Sequence, residues 1–154
     1  AGDGAAVVLR DEEAEALLDA IAGLRGNGLG LRVCVPTHRV WDLVGRARES
    51  ATAAGLTLSY RMDGAWGVLD LWLRRPPDGD VEAEALSRGS FVAGLRGEAE
   101  KAGGWLAVTA GPASLPAGFD AWGTVGPSLR LMAGLKERFD PRRTLNPGRF
   151  VGGI

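Results

Sequence analysis

From Leu56 to Leu73 apolar and polar side chains alternate, and Asp63-Gly64 interrupts the alternation once near its middle. A period of two sends successive side chains to opposite faces of an extended chain, and Asp-Gly is a favoured two-residue hairpin turn. The stretch therefore predicts two antiparallel strands, Leu56 to Met62 and Ala65 to Leu73. With a two-residue loop, Met62 faces Ala65 and Arg61 faces Trp66. One side of the hairpin reads Leu56, Leu58, Tyr60 and Met62 with Ala65, Gly67, Leu69, Leu71 and Leu73, which is a core face. The other reads Thr57, Ser59 and Arg61 with Trp66, Val68, Asp70 and Trp72, mixing polar groups with tryptophans.

The flanking segments extend this hairpin into a larger unit. Leu31-Arg32-Val33-Cys34-Val35 alternates in the same way, and Pro36-Thr37 breaks it. Val40, Val44, Ala47, Ala51 and Ala54 then recur along one stripe of a helix that Gly55 stops. Past the hairpin, residues 75–80 read as a loop. A helix from about Glu82 or Ser90 to Ala102 carries Val92, Leu95, Ala99 and Ala102, and Gly89, Gly94 and Gly97 weaken it. Gly103-Gly104 leads into a strand from Trp105 to Ala110. The order is strand, helix, strand, strand, helix, strand. This is the α+β class with the ferredoxin-like βαββαβ pattern, an antiparallel sheet carrying both helices on one face.

Further elements lie at both ends. Ala5 to Leu9 reads as a strand, and Asp11 can cap a helix bearing Leu17, Leu18, Ile21 and Leu24, ended by Gly26-Asn27-Gly28. Residues 111–126, rich in Gly, Pro and Ala, form a long connection and the one candidate for a disordered linker. Gly126-Pro127 opens a last helix with Leu131, Met132, Leu135 and Phe139 on one side. Pro141 stops it by disfavouring the helical conformation at Asp140. The expected organisation is an α+β unit over 1–126 and a docking helix and tail over 127–154.

Composition excludes more than it assigns. Over 154 residues, 45% are hydrophobic and 24% charged, ordinary for one globular domain. A net charge of −1 offers no basic footprint for nucleic acid. Cys34 is alone, so no internal disulfide forms and a reducing cytoplasm is the default. With one histidine, His38, there is neither a zinc ligand set nor a nucleophile and base at motif spacing. No apolar run approaches the roughly 18 to 20 residues of a membrane span. The chain opens Ala1-Gly2-Asp3-Gly4 without Met, as a fragment or processed chain would.

A βαββαβ unit leaves one sheet face uncovered, which water tolerates if that face is polar. Here it carries Trp66, Val68 and Trp72, joined by Trp105 if the last strand is in matching phase. Burying one tryptophan is worth roughly 2 to 3 kcal/mol, so several left bare are a liability. Another domain or subunit is expected to cover this face. Arg61 facing Trp66 reads either as a cation–π surface pair or as a contact for a substrate carboxylate. Trp66 and Trp72 read as interface residues. A single-stranded RNA platform stacking bases on Trp66 and Trp72 has the same topology, against the net charge. So does a small-ligand module that dimerises through the sheet. His38 reads as a solvated residue at a helix start, Cys34 as a small buried hydrophobe, and Arg142-Arg143 as a solvated turn.

The most specific pattern closes the chain: Lys136-x-x-Phe139-Asp140-Pro141-x-x-x-Leu145-Asn146-Pro147-Gly148-Arg149. From the residues alone it is a helix stop, a tight Asn-Pro-Gly turn and an apolar Phe150-Val151 suited to docking. The pattern resembles the C-terminal signature of FAD-linked oxidases of the vanillyl-alcohol-oxidase type. With Gly148 to Ile154 included, it is most similar to the FAD-binding E subunit of bacterial glycolate oxidase. The resemblance implies a cap, or substrate, domain over a flavin held by a separate N-terminal domain, with the bare sheet face toward isoalloxazine and substrate. It implies that the tail crosses back to that domain and that Asn146, Pro147, Gly148 and Arg149 lie by the cofactor. Asn146 would offer an amide to flavin or backbone, and Arg149 a fork for carboxylate or phosphate. Arg61, Trp66 and Trp72 become candidates for substrate or interface contacts.

The implied substrate is a small 2-hydroxy acid such as glycolate. The implied partners are the FAD domain, a paralogous flavoprotein subunit and an iron–sulfur subunit, in a cytoplasmic complex peripheral to the inner membrane. The chain departs from the family in lacking a Gly-rich pyrophosphate-binding stretch, so it is not expected to hold FAD tightly alone. Related catalytic subunits carry histidine and glutamate metal ligands in the cap. The lone His38 cannot reproduce them, so no metal and no catalytic residue are assigned, and the E type is favoured.

Overall fold

In the computed structural model, residues 10–23, 28–74 and 81–154 are described. Helix α1 spans Asp11–Gly23, strand β1 Leu29–Cys34 and helix α2 Val40–Ala53. Strands β2 and β3 cover Thr57–Asp63 and Val68–Arg74. Helix α3 runs over Val81–Lys101, strand β4 over Trp105–Ala110 and helix α4 over Ser128–Phe139. The four strands pair in the order β2-β3-β1-β4, every neighbour antiparallel. From β1 to β4 this is the expected ferredoxin-like βαββαβ arrangement. Segments with period-two alternation became strands, and segments with one apolar stripe became helices.

One sheet face is the core. Leu29, Leu31 and Val33 of β1 stand opposite Leu73, Leu71 and Leu69 of β3, and Leu106 and Val108 of β4 continue the row. Over them pack Val40, Leu43, Val44, Ala47 and Ala51 of α2 and Phe91, Val92, Leu95 and Ala99 of α3. Glycines do not divide α3, because it starts at Val81 and packs along the sheet. At Gly89 the missing side chain admits Pro116, whose ring carbons would stand 3.0 Å from a Cβ.

The hairpin differs from expectation in its loop. Asp63 stays in β2 opposite Val68, and residues 64–67 make the turn. The Asp63 carboxylate accepts the Ala65 and Trp66 amides at 3.2 and 3.3 Å, and Gly67 takes φ 66°. Side-chain capping by aspartate and a left-handed glycine together favour this longer loop over the two-residue one. Arg61 therefore faces Asp70 rather than Trp66, and Met62 faces Leu69. The register moves by an even number of residues, so the side chains that remain in the strands keep their expected faces. Ala65, Trp66 and Gly67 instead fall in the turn, and Tyr60, on the core side, is 38% exposed.

Residues 111–126 are not a disordered linker. The Val108 amide donates to the Ala121 carbonyl at 2.7 Å, Leu115 is buried, and Phe119 and Ala121 pack on the core. Arg96 of α3 donates to the Asp120 carbonyl at 2.9 Å and lies over the Phe119 ring, 5.5 Å from its centre. One other expectation also changes: Cys34 is only half-buried, on the uncovered face opposite Val68 and Trp105. His38 is exposed at a helix start as expected, in a short 3-10 turn, Thr37–Arg39, that leads into α2. The strand predicted for Ala5 to Leu9, the part of the predicted first helix beyond Gly23 and the loop predicted over 75–80 lie outside the described residues.

Candidate functional site: the uncovered sheet face and the tail

Arg32, Asp70 and Arg61 form one cross-strand row over β1, β3 and β2 on the face opposite the helices. Arg32 donates from Nε to Asp70 Oδ1 at 2.7 Å and from Nη2 to Oδ2 at 3.2 Å. Arg61 donates from Nη2 to Oδ2 at 2.5 Å. Asp70 is buried while both arginines stay half-exposed. Burial pushes the Asp70 carboxyl up, but the guanidiniums of Arg32 and then Arg61 outweigh it and hold the carboxyl below its usual range. The same contact raises Arg32. A shallow depression of about 580 Å³ lies here, walled by Arg32, Arg61, Asp70, Val68 and Trp66.

Both guanidiniums keep donors that Asp70 does not use. The row can therefore take a further carboxylate, with Trp66 as its apolar wall. Asp63, at the rim, is engaged with the turn amides. The tryptophans divide. Trp66, in the turn, is 76% exposed, and Trp105, opposite Cys34, shares the uncovered face as expected for matching phase. Trp72 is only 6% exposed, on β3 between Gly30 of β1 and Ser59 of β2. It therefore offers no ring to a stacking base or a partner.

The tail is organised by Asp140, which sequence reasoning treated only as the end of a helix. Its buried carboxylate accepts the Lys136 ammonium at 2.7 Å, the Thr144 amide at 2.9 Å, the Thr144 hydroxyl at 3.1 Å and the Leu145 amide at 3.0 Å. Lys136, followed by these donors, holds the carboxyl far below its usual range. Lys136 also donates to the Leu145 carbonyl at 2.5 Å, so α4 and the segment after it are tied at both signs of charge. An aspartate before proline, followed within five residues by threonine, was the available signal.

Asn146, Pro147, Gly148 and Arg149 come together in one exposed turn. The Arg149 amide closes it on the Asn146 carbonyl at 3.1 Å, and Gly148 takes φ 67° behind Pro147. Trp122 fixes the far side. Its Nε1 donates to the Arg149 carbonyl at 3.2 Å, and its ring meets Phe150 edge to face at 5.6 Å. Arg61 and Trp66 belong to the sheet face. Among the described residues no hydrogen bond, ion pair or ring contact joins them to this turn. Arg32 and Asp70 were the other functional groups missed. Their alternation was legible, but their meeting depends on β1 lying beside β3.

Fold and surface define an α+β domain of ferredoxin-like topology with a charged row on its uncovered face and a preformed turn in its tail. Comparison with protein-family models and with curated proteins returns no match. Among the described residues no helix is long and apolar enough to cross a membrane.

Proposed function

We propose that this chain is the C-terminal cap domain of an FAD-linked oxidoreductase acting on a small 2-hydroxy acid, similar to the glycolate oxidase E subunit. The observation that carries this reading is the Asp140-held tail. The residues that match the oxidase signature, Lys136, Asp140 and Leu145, bond to one another, and they present Asn146 to Arg149 as a ready turn.

The donor set fits a contributing contact with FAD. The Asn146 amide and Arg149 guanidinium are exposed and suit flavin polar atoms or a phosphate. No Gly-rich cradle for a pyrophosphate occurs in the 154 residues, so the cofactor would be held mainly by another domain. When bound, FAD supplies the redox chemistry. The residues of this chain bind and orient. Arg61 and Arg32 receive the substrate carboxylate, Trp66 excludes water beside it, and the tail docks on the domain that holds the flavin. The paralogous flavoprotein and iron–sulfur subunits remain the proposed partners.

Co-expression with the polypeptide encoded immediately upstream, purified through a tag on this chain, tests the reading by visible spectroscopy. A flavin band near about 450 nm that glycolate bleaches is expected. Asn146→Ala with Arg149→Ala should lower flavin retention and slow the bleaching. A colourless preparation, or a double variant with unchanged flavin and turnover, overturns the assignment.

A further inference from the structure

Two helices of this chain expose apolar faces of matching length and opposite charge. α4 presents a shallow, open groove along one of its own faces, lined by Pro127, Arg130, Leu131, Gly134, Leu135 and Arg138. These positions recur at helical spacing and so share one face. Leu131 is 68% exposed, and a Cβ at Gly134 would meet nothing within 4 Å, so the middle of the groove is an open notch. α1, over Asp11–Gly23, holds five acidic residues and no basic one. Its Leu17 and Leu18 are exposed, and Glu13 and Glu15 flank them on the helix surface. At about 1.5 Å per residue both helices are roughly 18 to 20 Å long.

We propose that α1 of one copy lies antiparallel in the α4 groove of a second copy, and reciprocally, making a two-fold dimer. Four residues separate Glu13 from Leu17, and four separate Arg138 from Gly134. With Glu13 against Arg138, Leu17 therefore enters the Gly134 notch and Leu18 meets Leu131 or Leu135. The acidic first turn of α1 then lies by the basic last turn of α4, where Lys136 and Arg138 sit. A two-fold axis repeats the same contact and closes the assembly. This surface is separate from the Asn146 to Arg149 turn and does not depend on the flavin reading.

Light scattering on the full 154-residue chain should show a mass rising with concentration from 16.1 kDa to twice that value. Glu13→Lys with Glu15→Lys, and Arg130→Glu with Arg138→Glu, should each remain at monomer mass alone. Mixed in equal amounts they should form a heterodimer, because both reciprocal contacts then pair opposite charges. Gly134→Leu, which fills the notch and raises helix propensity, should also stay monomeric with its circular dichroism unchanged. A wild-type chain that remains monomeric overturns the proposal. So does a mixture that fails to pair, since docking within one copy would leave it monomeric.

Discussion

Arg61 and Asp70 stand directly opposite each other on β2 and β3, with Nη2 2.5 Å from Oδ2, and Arg32 of β1 closes on the same carboxylate from the other side. A single buried acid thus holds two half-exposed cations in register across three strands. Asp70→Ala leaves those cations facing each other with no counter-charge. Breaking a buried pair costs about 3 to 5 kcal/mol, and water reaching both arginines reduces the expectation here to about 1 to 3 kcal/mol. Urea unfolding measures it. Arg61→Ala should cost less, because Arg32 keeps both of its hydrogen bonds to Asp70.

Acid should act chiefly through Asp70 and Asp140, with Glu98, lowered beside Lys101, a third and more exposed contributor. Asp70 and Asp140 both ionise below their usual range in the folded chain. An unfolded aspartate takes up its proton near pH about 3.9, so the folded state binds fewer protons in acid. The stabilisation is complete above about pH 5 and is lost as pH falls below about 4. Unfolding free energies between pH 3 and pH 6 should therefore slope downward in acid. Asp70→Asn with Asp140→Asn should flatten that slope. An unchanged slope would mean that other acids govern it.

Gly67 offers a test of the hairpin loop. It holds φ 66°, its carbonyl accepts the Val35 amide at 3.0 Å, and a Cβ there would fall on the Val35 carbonyl. Gly67→Ala should cost about 2 kcal/mol or more in thermal or urea unfolding. Gly64, in the same turn, has nothing within 4 Å of a built Cβ. Gly64→Ala should stay within about 0.5 kcal/mol of the parent. Equal effects at the two positions would contradict the four-residue loop.

Much of the fold was legible because its signals are local. Leu31 to Val35 and Leu56 to Leu73 alternate, and Val40 to Ala51 and Val92 to Ala99 stripe, without reference to distant residues. The faces of the hairpin survived a wrong loop because the register error was even. The partner of Arg61 did not survive it, since a partner depends on loop length, and the Asp63 side chain and Gly67 set that length. Residues 111–126 misled because Gly, Pro and Ala carry no periodicity. Their order comes from Val108 on β4, which bonds to Ala121 across 13 residues, and Arg96 on α3, which bonds to Asp120 across 24. For the tail, the Asn146 to Arg149 turn could be read from its residue types, whereas Asp140, signalled only by Pro141 and Thr144 after it, reads as no more than a helix end.

By itself, then, the sequence determined the order of the elements from β1 to α4, the inward face of the two hairpin strands and the presence of turns at Asp63-Gly64 and Asn146-Pro147-Gly148, because backbone periodicity and turn chemistry act over a few residues. Tertiary structure alone decided that β1 lies between β3 and β4, and so that Arg32 and Arg61 share Asp70 across a separation of 38 residues on one side. It also decided that Trp72 is covered while Trp66 is bare, and that Trp122 reaches Arg149 and Phe150. Those outcomes depend on which distant surfaces meet, a choice made by burying the leucine rows of β1 and β3 under α2 and α3.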